Sequence, residues 1–200
     1  MGVVRSILAL AAGVACVSLA QGGARSASVA SLKRDGTLEI AGHRLQCGNV
    51  RSKLDPALPN LGLAIPDAHL LIINPALLAH QPETVRLFVF HHECGHHHVG
   101  GSELKADCWA VQRGVEQGWL NRGDLGKICS SFGNAPETAT HPAAARRCNN
   151  VNRCFAAASA ERARLDAARK LHEPEALQVA ASSGPRLVSG PRLIRQGTVR

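Results

Sequence analysis

The chain has 200 residues, 45% hydrophobic and 19% charged, the make-up of one ordinary soluble domain. Only 3% are aromatic and none is Tyr, which argues against a stacking platform for single-stranded nucleic acid. The formal charge of +8 sits mainly at the ends, with +2 in residues 1–30, +4 in residues 161–200 and only +2 between them, so no nucleic-acid partner is implied.

Met1 to Ala20 has the layout of a secretory signal. Arg5 precedes an apolar run from Ile7 to Leu19, and Ser18-Leu19-Ala20 places small residues where a signal peptidase needs them; Ser28-Val29-Ala30 is a later option. The run is 13 residues, short of the roughly 20 of a membrane span, so membrane contact is expected only if this segment stays uncleaved. The expected location is periplasmic or secreted, with a membrane-anchored form as the alternative. Once Cys16 leaves with the signal, Cys47, Cys94, Cys108, Cys129, Cys148 and Cys154 remain, an even number that fits disulfides in an exported chain. Sequence cannot choose among the 15 pairings of six cysteines, though the loop-like stretch after Cys129 favours a link to Cys148 or Cys154.

Gly36 to Cys47 alternates apolar and polar residues about Gly42 and predicts a hairpin. Pro56, Pro59, Asn60 and Gly62 mark a loop, and His69-Leu-Leu-Ile-Ile73, ended by Asn74-Pro75, reads as a strand. Pro82 and Glu83 open a helix that runs to His98 and stops at Gly100-Gly101. Ser102 caps a second helix, Glu103 to about Gln117. A third, about Pro142 to Lys170, is expected to break near Asn149-Asn150. From about Glu173 the chain reads as a disordered basic tail, with Pro174, Pro185, Pro191 and Gly-Pro-Arg-Leu at 184–187 echoed at 190–193. The expected organisation is therefore a signal over 1–20, cleaved as late as 30, an α+β unit over 31–160, and a helix end with tail over 161–200.

Half of the ten His residues lie in the eight positions 91–98. Among them, His92-Glu93-Cys94-Gly95-His96 is an HExxH motif, which on a helix puts two imidazoles on one face, where they can share one metal ion. The Glu after the first His then borders the metal site and can take a proton from water. Glu93 alone has a His before it and another three residues after it. A catalytic zinc needs a third protein ligand, and Glu103, at the start of the next helix, is placed to supply it. Asp107, one turn on, can orient a ligand His through its second ring nitrogen. Cys94 points away from the metal face, towards the core or a disulfide partner.

His92-Glu-Cys-Gly-His-His-His98 followed by Glu103-Leu-Lys-Ala-Asp-Cys-Trp-Ala110 resembles the gluzincin metallopeptidases, of the HtpX/CAAX-prenyl-endopeptidase type or the bacterial neutral zinc metallopeptidases. Thr140-His141-Pro142 with Arg147 and Val151 is similar to a further segment of the HtpX type. The likeness covers roughly residues 60–155. It implies a small zincin-like domain with the active-site helix beside a short sheet and a second ligand-bearing helix. It also implies one Zn²⁺ on His92, His96 and Glu103, Glu93 as general base, Asp107 behind a ligand His, and His141 and Arg147 near the oxyanion. The strand His69–Ile73 would occupy the place of the edge strand that binds a peptide or protein substrate. The chain departs from that group in the short link from His96 to Glu103, in Ala143 where a second Pro is expected, and in lacking its multiple transmembrane helices. The expected function is a zinc metalloendopeptidase. Two alternatives stay open: an exported His-rich metal-binding protein, and a peptidase-like scaffold without turnover.

Overall fold

In the computed structural model, which describes residues 29–182, the alternating segment about Gly42 becomes a tight hairpin. Its strands β2 (Leu38–Ile40) and β3 (His43–Leu45) pair antiparallel, with Ile40 opposite His43. The two connecting residues, Ala41 and Gly42, have φ of 51° and 77°, the left-handed values that a two-residue hairpin turn needs to match strand twist. A strand not expected from the sequence, β1 (Ala30–Leu32), pairs antiparallel with β2 and completes the first sheet.

The second sheet joins β4 (Arg51–Leu54), β5 (Gly62–Ile65) and β6 (Leu70–Ile73) in the order β4-β6-β5. β6 pairs parallel with β4 and antiparallel with β5. This corrects the expectation for the 69–73 run. It is the central strand, hydrogen-bonded along both sides, and it cannot take up a peptide. Leu71, Ile72 and Ile73 are all buried, as in a strand covered on both faces. The outer strands are β4 and β5, and β5, which begins at Gly62 where the loop was expected, is the one that lies against the helix Glu83–Val99 beside Glu93. Asn74 closes β6 and caps the short helix α1 (Pro75–Leu78): Oδ1 accepts from the N–H groups of Ala76 and Leu77, while Nδ2 donates to the carbonyls of Pro56 and Leu58.

Helices α2 (Glu83–Val99) and α3 (Glu103–Gln117) have the expected ends. Gly100, at φ 77°, breaks the first, and the Ser102 side chain caps the second. They cross closely because Gly95 has no side chain: a Cβ there would lie 3.1 Å from Ala106 Cα and 3.2 Å from Trp109 Cβ. Helix α4 (Leu125–Ser131) precedes α5 (Ala144–Ser182). α5 passes through Asn149-Asn150 without the expected break. Buried Asn150 sends its amide to the Leu104 carbonyl (2.8 Å), so its side chain does not compete for its own backbone. The backbone also stays helical to Ser182, contrary to the disorder expected from Glu173; Ala176, Leu177, Gln178, Ala180 and Ala181 are strong helix formers. The signal segment and the Gly-Pro-Arg-Leu echo lie outside the described residues.

The described residues are thus mixed α+β, with five helices and two small sheets, around one apolar core from Ala30 to Phe155. Among the described residues no helix is long and apolar enough to cross a membrane. Three disulfides brace the core: Cys47–Cys94 ties the first sheet to α2, Cys108–Cys154 ties α3 to α5, and Cys129–Cys148 ties α4 to α5. The last is one of the two links favoured for Cys129.

His91 is buried and stacks on Trp119 at 5.4 Å. Burial, helped by the Arg113 charge, lowers its pKa from 6.5 to about 4. The folded state therefore refuses a proton that the unfolded chain accepts, so this contribution to stability is complete above pH 6.5 and is lost as pH falls towards 4. In metal-free protein, acidification from pH 7 to 4.5 should destabilise the wild type by roughly 2 kcal/mol more than His91→Phe, measured by urea unfolding.

Candidate metal centre

Helix periodicity puts His92 and His96 on one face of α2, and the Gly95–Ala106 contact brings the first turn of α3 against that face. The three side chains meet. His92 Nε2 lies 3.2 Å from His96 Nε2 and 3.2 Å from Glu103 Oε2, and His96 Nε2 lies 3.5 Å from Glu103 Oε1. A tetrahedral zinc with bonds near 2.0–2.1 Å spaces its ligand atoms about 3.3 Å apart, so these separations fit one such ion.

The second nitrogen of each imidazole is held. His92 Nδ1 donates to Asp107 Oδ1 at 2.9 Å, and His96 Nδ1 donates to the Gly100 carbonyl at 3.0 Å. Both partners only accept, so both Nδ1 atoms carry hydrogen, which leaves the two Nε2 atoms as the ones a metal could bind once any proton there is displaced.

Asp107 has no solvent exposure. Beyond His92 it accepts from Arg147 Nε at 2.9 Å and from Arg147 Nη2 at 2.5 Å, while Arg147 Nη1 lies 3.3 Å from Glu103 Oε2. The guanidinium also packs on the Phe132 ring at 4.3 Å. All three guanidinium nitrogens therefore face carboxylates of the centre. His141 sits at the rim in the loop before α5. Its ring is exposed, Nε2 is 3.7 Å from Glu103 Oε1, and Nδ1 is 2.9 Å from the Thr140 hydroxyl.

Glu93 lies between α2 and the free-edged strand β5. A Cβ on Gly62 would fall 2.6 Å from Glu93 Cγ, so only glycine lets the strand lie against this side chain. Burial raises the Glu93 pKa and the Glu103 carboxylate adds to that, against the charges of His92 and His96 and a hydrogen bond from the Ala64 backbone. For His92, burial opposes protonation but the Asp107 and Glu103 carboxylates win, lifting its pKa to about 9. His96 is raised mainly by its hydrogen bond to Glu103. Burial pushes Glu103 up, but the hydrogen bonds from His92 and His96 and the Arg147 charge hold it well below the ordinary carboxylate range.

His92, Glu93, His96, Glu103, His141 and Arg147 line a cleft of about 630 Å³ between β5, α2, the α4 end and the loop to α5, with Asp107 buried behind them. The structure thus gathers every residue singled out in the sequence: His92, Glu93, His96, Glu103, Asp107, His141 and Arg147. Sequence reasoning missed Gly62, Gly95 and Phe132. A glycine inside HExxH is a readable signal of close helix packing; Gly62 and Phe132 carry no local signal. Comparison with protein-family models, with curated proteins and with solved structures finds no match in any of the three.

Oxidised protein should bind one zinc per chain by equilibrium dialysis, and His92→Ala, His96→Ala or Glu103→Gln should abolish tight binding while His97→Ala leaves it unchanged. Asp107→Asn, which removes the acceptor behind His92, should weaken it about 10–100-fold. Gly95→Val should lower stability by about 1–3 kcal/mol in urea and weaken zinc binding with it, because α3 carries Glu103.

Proposed function

We propose that the chain is an exported zinc metalloendopeptidase with a zincin-like domain, as its resemblance to the gluzincins implies. The observation that carries this reading is the meeting of His92 Nε2, His96 Nε2 and a Glu103 oxygen at metal-ligand spacing, with Glu93 beside them and a free-edged strand across the cleft. Zinc, when bound, supplies Lewis acidity, polarising a carbonyl oxygen and acidifying water.

The protein groups do the rest. An extended substrate pairs with the free edge of β5, where backbone hydrogen bonds give binding with little demand on sequence. Glu93 takes a proton from water as the water oxygen adds to the carbonyl carbon, then passes it to the leaving nitrogen as the C–N bond breaks. Asp107 and the Gly100 carbonyl keep the two imidazoles aimed. Arg147 holds Glu103 and Asp107 in place and acts as a positioning residue, leaving His141, on the open rim, as the side chain able to donate to the developing oxyanion. Three disulfides suit an oxidising compartment, in keeping with a periplasmic or secreted enzyme.

Digestion of an unfolded protein and a peptide library, read by mass spectrometry, tests this directly. Glu93→Gln should keep its zinc and lose about 10²–10⁴-fold in cleavage rate. Tight zinc without hydrolysis of any peptide by the wild type would overturn the enzyme and leave a binding scaffold.

A further inference from the structure

Helix α2 carries a second pair of metal-binding side chains at the same spacing as the first. Cys94 and His98 stand four residues apart, as His92 and His96 do, but the pair is shifted by two residues, about 200° around the helix. It therefore faces the opposite side, where Cys47 arrives from the end of β3. A sulfur of each cysteine and a ring nitrogen of His98 all lie within 4.8 Å of one another. Cys47 Sγ is 4.0 Å from His98 Nε2, and the two cysteine Cα atoms are 5.6 Å apart. Both cysteines are buried, while the His98 ring is stacked flat on Trp109 at 4.3 Å, which fixes its direction.

In the oxidised protein the sulfurs are bonded to each other and have no thiolate to offer. We propose that reduction of Cys47–Cys94 converts this corner into a second zinc site, with Cys47, Cys94 and His98 as ligands and the fourth position open to solvent. A dithiol reductant delivers two electrons: the Sγ–Sγ bond breaks, each sulfur takes a proton, and the reductant closes to its own disulfide. On coordination each thiol gives its proton to solvent and binds as thiolate. Zinc–sulfur bonds near 2.3 Å set the sulfurs about 3.8 Å apart and each about 3.6 Å from the nitrogen, so rotation about the cysteine side chains has to open the sulfurs and bring Cys94 Sγ to a nitrogen that already lies 4.0 Å from Cys47 Sγ. The site is independent of the His92–His96–Glu103 centre and of its proposed activity, but it shares the same helix, so metal on one face braces the helix that presents the other.

The test compares zinc stoichiometry of the full chain before and after reduction with a phosphine removed anaerobically. The oxidised count reports on the first centre, and the excess of reduced wild type over Cys47→Ser/Cys94→Ser reduced in parallel, which opens the other two disulfides equally, reports on the second. We expect one additional zinc per chain and, with Co²⁺ instead, a thiolate-to-cobalt charge-transfer band absent from the oxidised protein. Both should vanish in Cys47→Ser/Cys94→Ser and survive when Cys108, Cys154, Cys129 and Cys148 are all changed to Ser. His98→Ala should weaken the second zinc at least about tenfold. No increment in reduced wild type, a band that persists in Cys47→Ser/Cys94→Ser, or a loss of helical circular dichroism on reduction that zinc does not restore would each overturn the proposal.

Discussion

Asp107 is the point through which the rest of the centre is held. A carboxylate with no access to water is costly unless charged or hydrogen-bonding groups surround it. Here the partners come from two other elements: His92 from α2, and Arg147, through two nitrogens, from α5. Satisfying this one buried group therefore brings three helices into register. The same contact orients the His92 imidazole, and the third nitrogen of Arg147 extends the network to Glu103. Polar networks of this kind stabilise only when every member is satisfied, and two disulfides sit directly beside this one. Cys108 follows Asp107 and joins α5, and Cys148 follows Arg147 and joins α4, so both ends of the Arg147–Asp107 pair are covalently braced.

Close approach is the second constraint. Gly95 lets α3 lie against α2, and Gly62 lets β5 lie against Glu93. Without the first, Glu103 would be carried away from the imidazoles; without the second, the free strand edge and the carboxylate could not border one cleft. Both glycines trade backbone entropy for a contact that no side chain permits.

The helical half of this arrangement is legible in the sequence because its signals are local. The spacing of His92, His96, Glu103 and Asp107 follows from 3.6 residues per turn, and Pro82, Gly100 and Ser102 mark ends by their own backbone chemistry. The sheets are less legible. Arg51-Ser-Lys-Leu54 and Gly62-Leu-Ala-Ile65 carry little apolar alternation, since each is a short outer strand whose pairing depends on β6. The apolar run at Leu70–Ile73 announces a strand but not its neighbours, and strand order, which decides the free edge, is set by distant segments. Asn149-Asn150 looks like a break for the opposite reason: the partner that satisfies Asn150, the Leu104 carbonyl, is 46 residues away.

Charge closes the account of the centre. Glu93, Glu103 and Asp107 bring three carboxylates into a small, largely buried volume, and among the described residues Arg147 is the permanent cation paired with them. With all three ionised, against the raised pKa of Glu93, two negative charges are left uncompensated. In the metal-free protein the imidazoles answer for them: the His92 pKa rises to about 9 and that of His96 rises too, so both are drawn towards the protonated form. A divalent cation on the two Nε2 atoms and Glu103 would displace those protons and supply the same two charges. Arg147 sets this balance. By pairing with Asp107 and Glu103 it lowers the negative charge that a single divalent ion on the two imidazoles and Glu103 would have to offset.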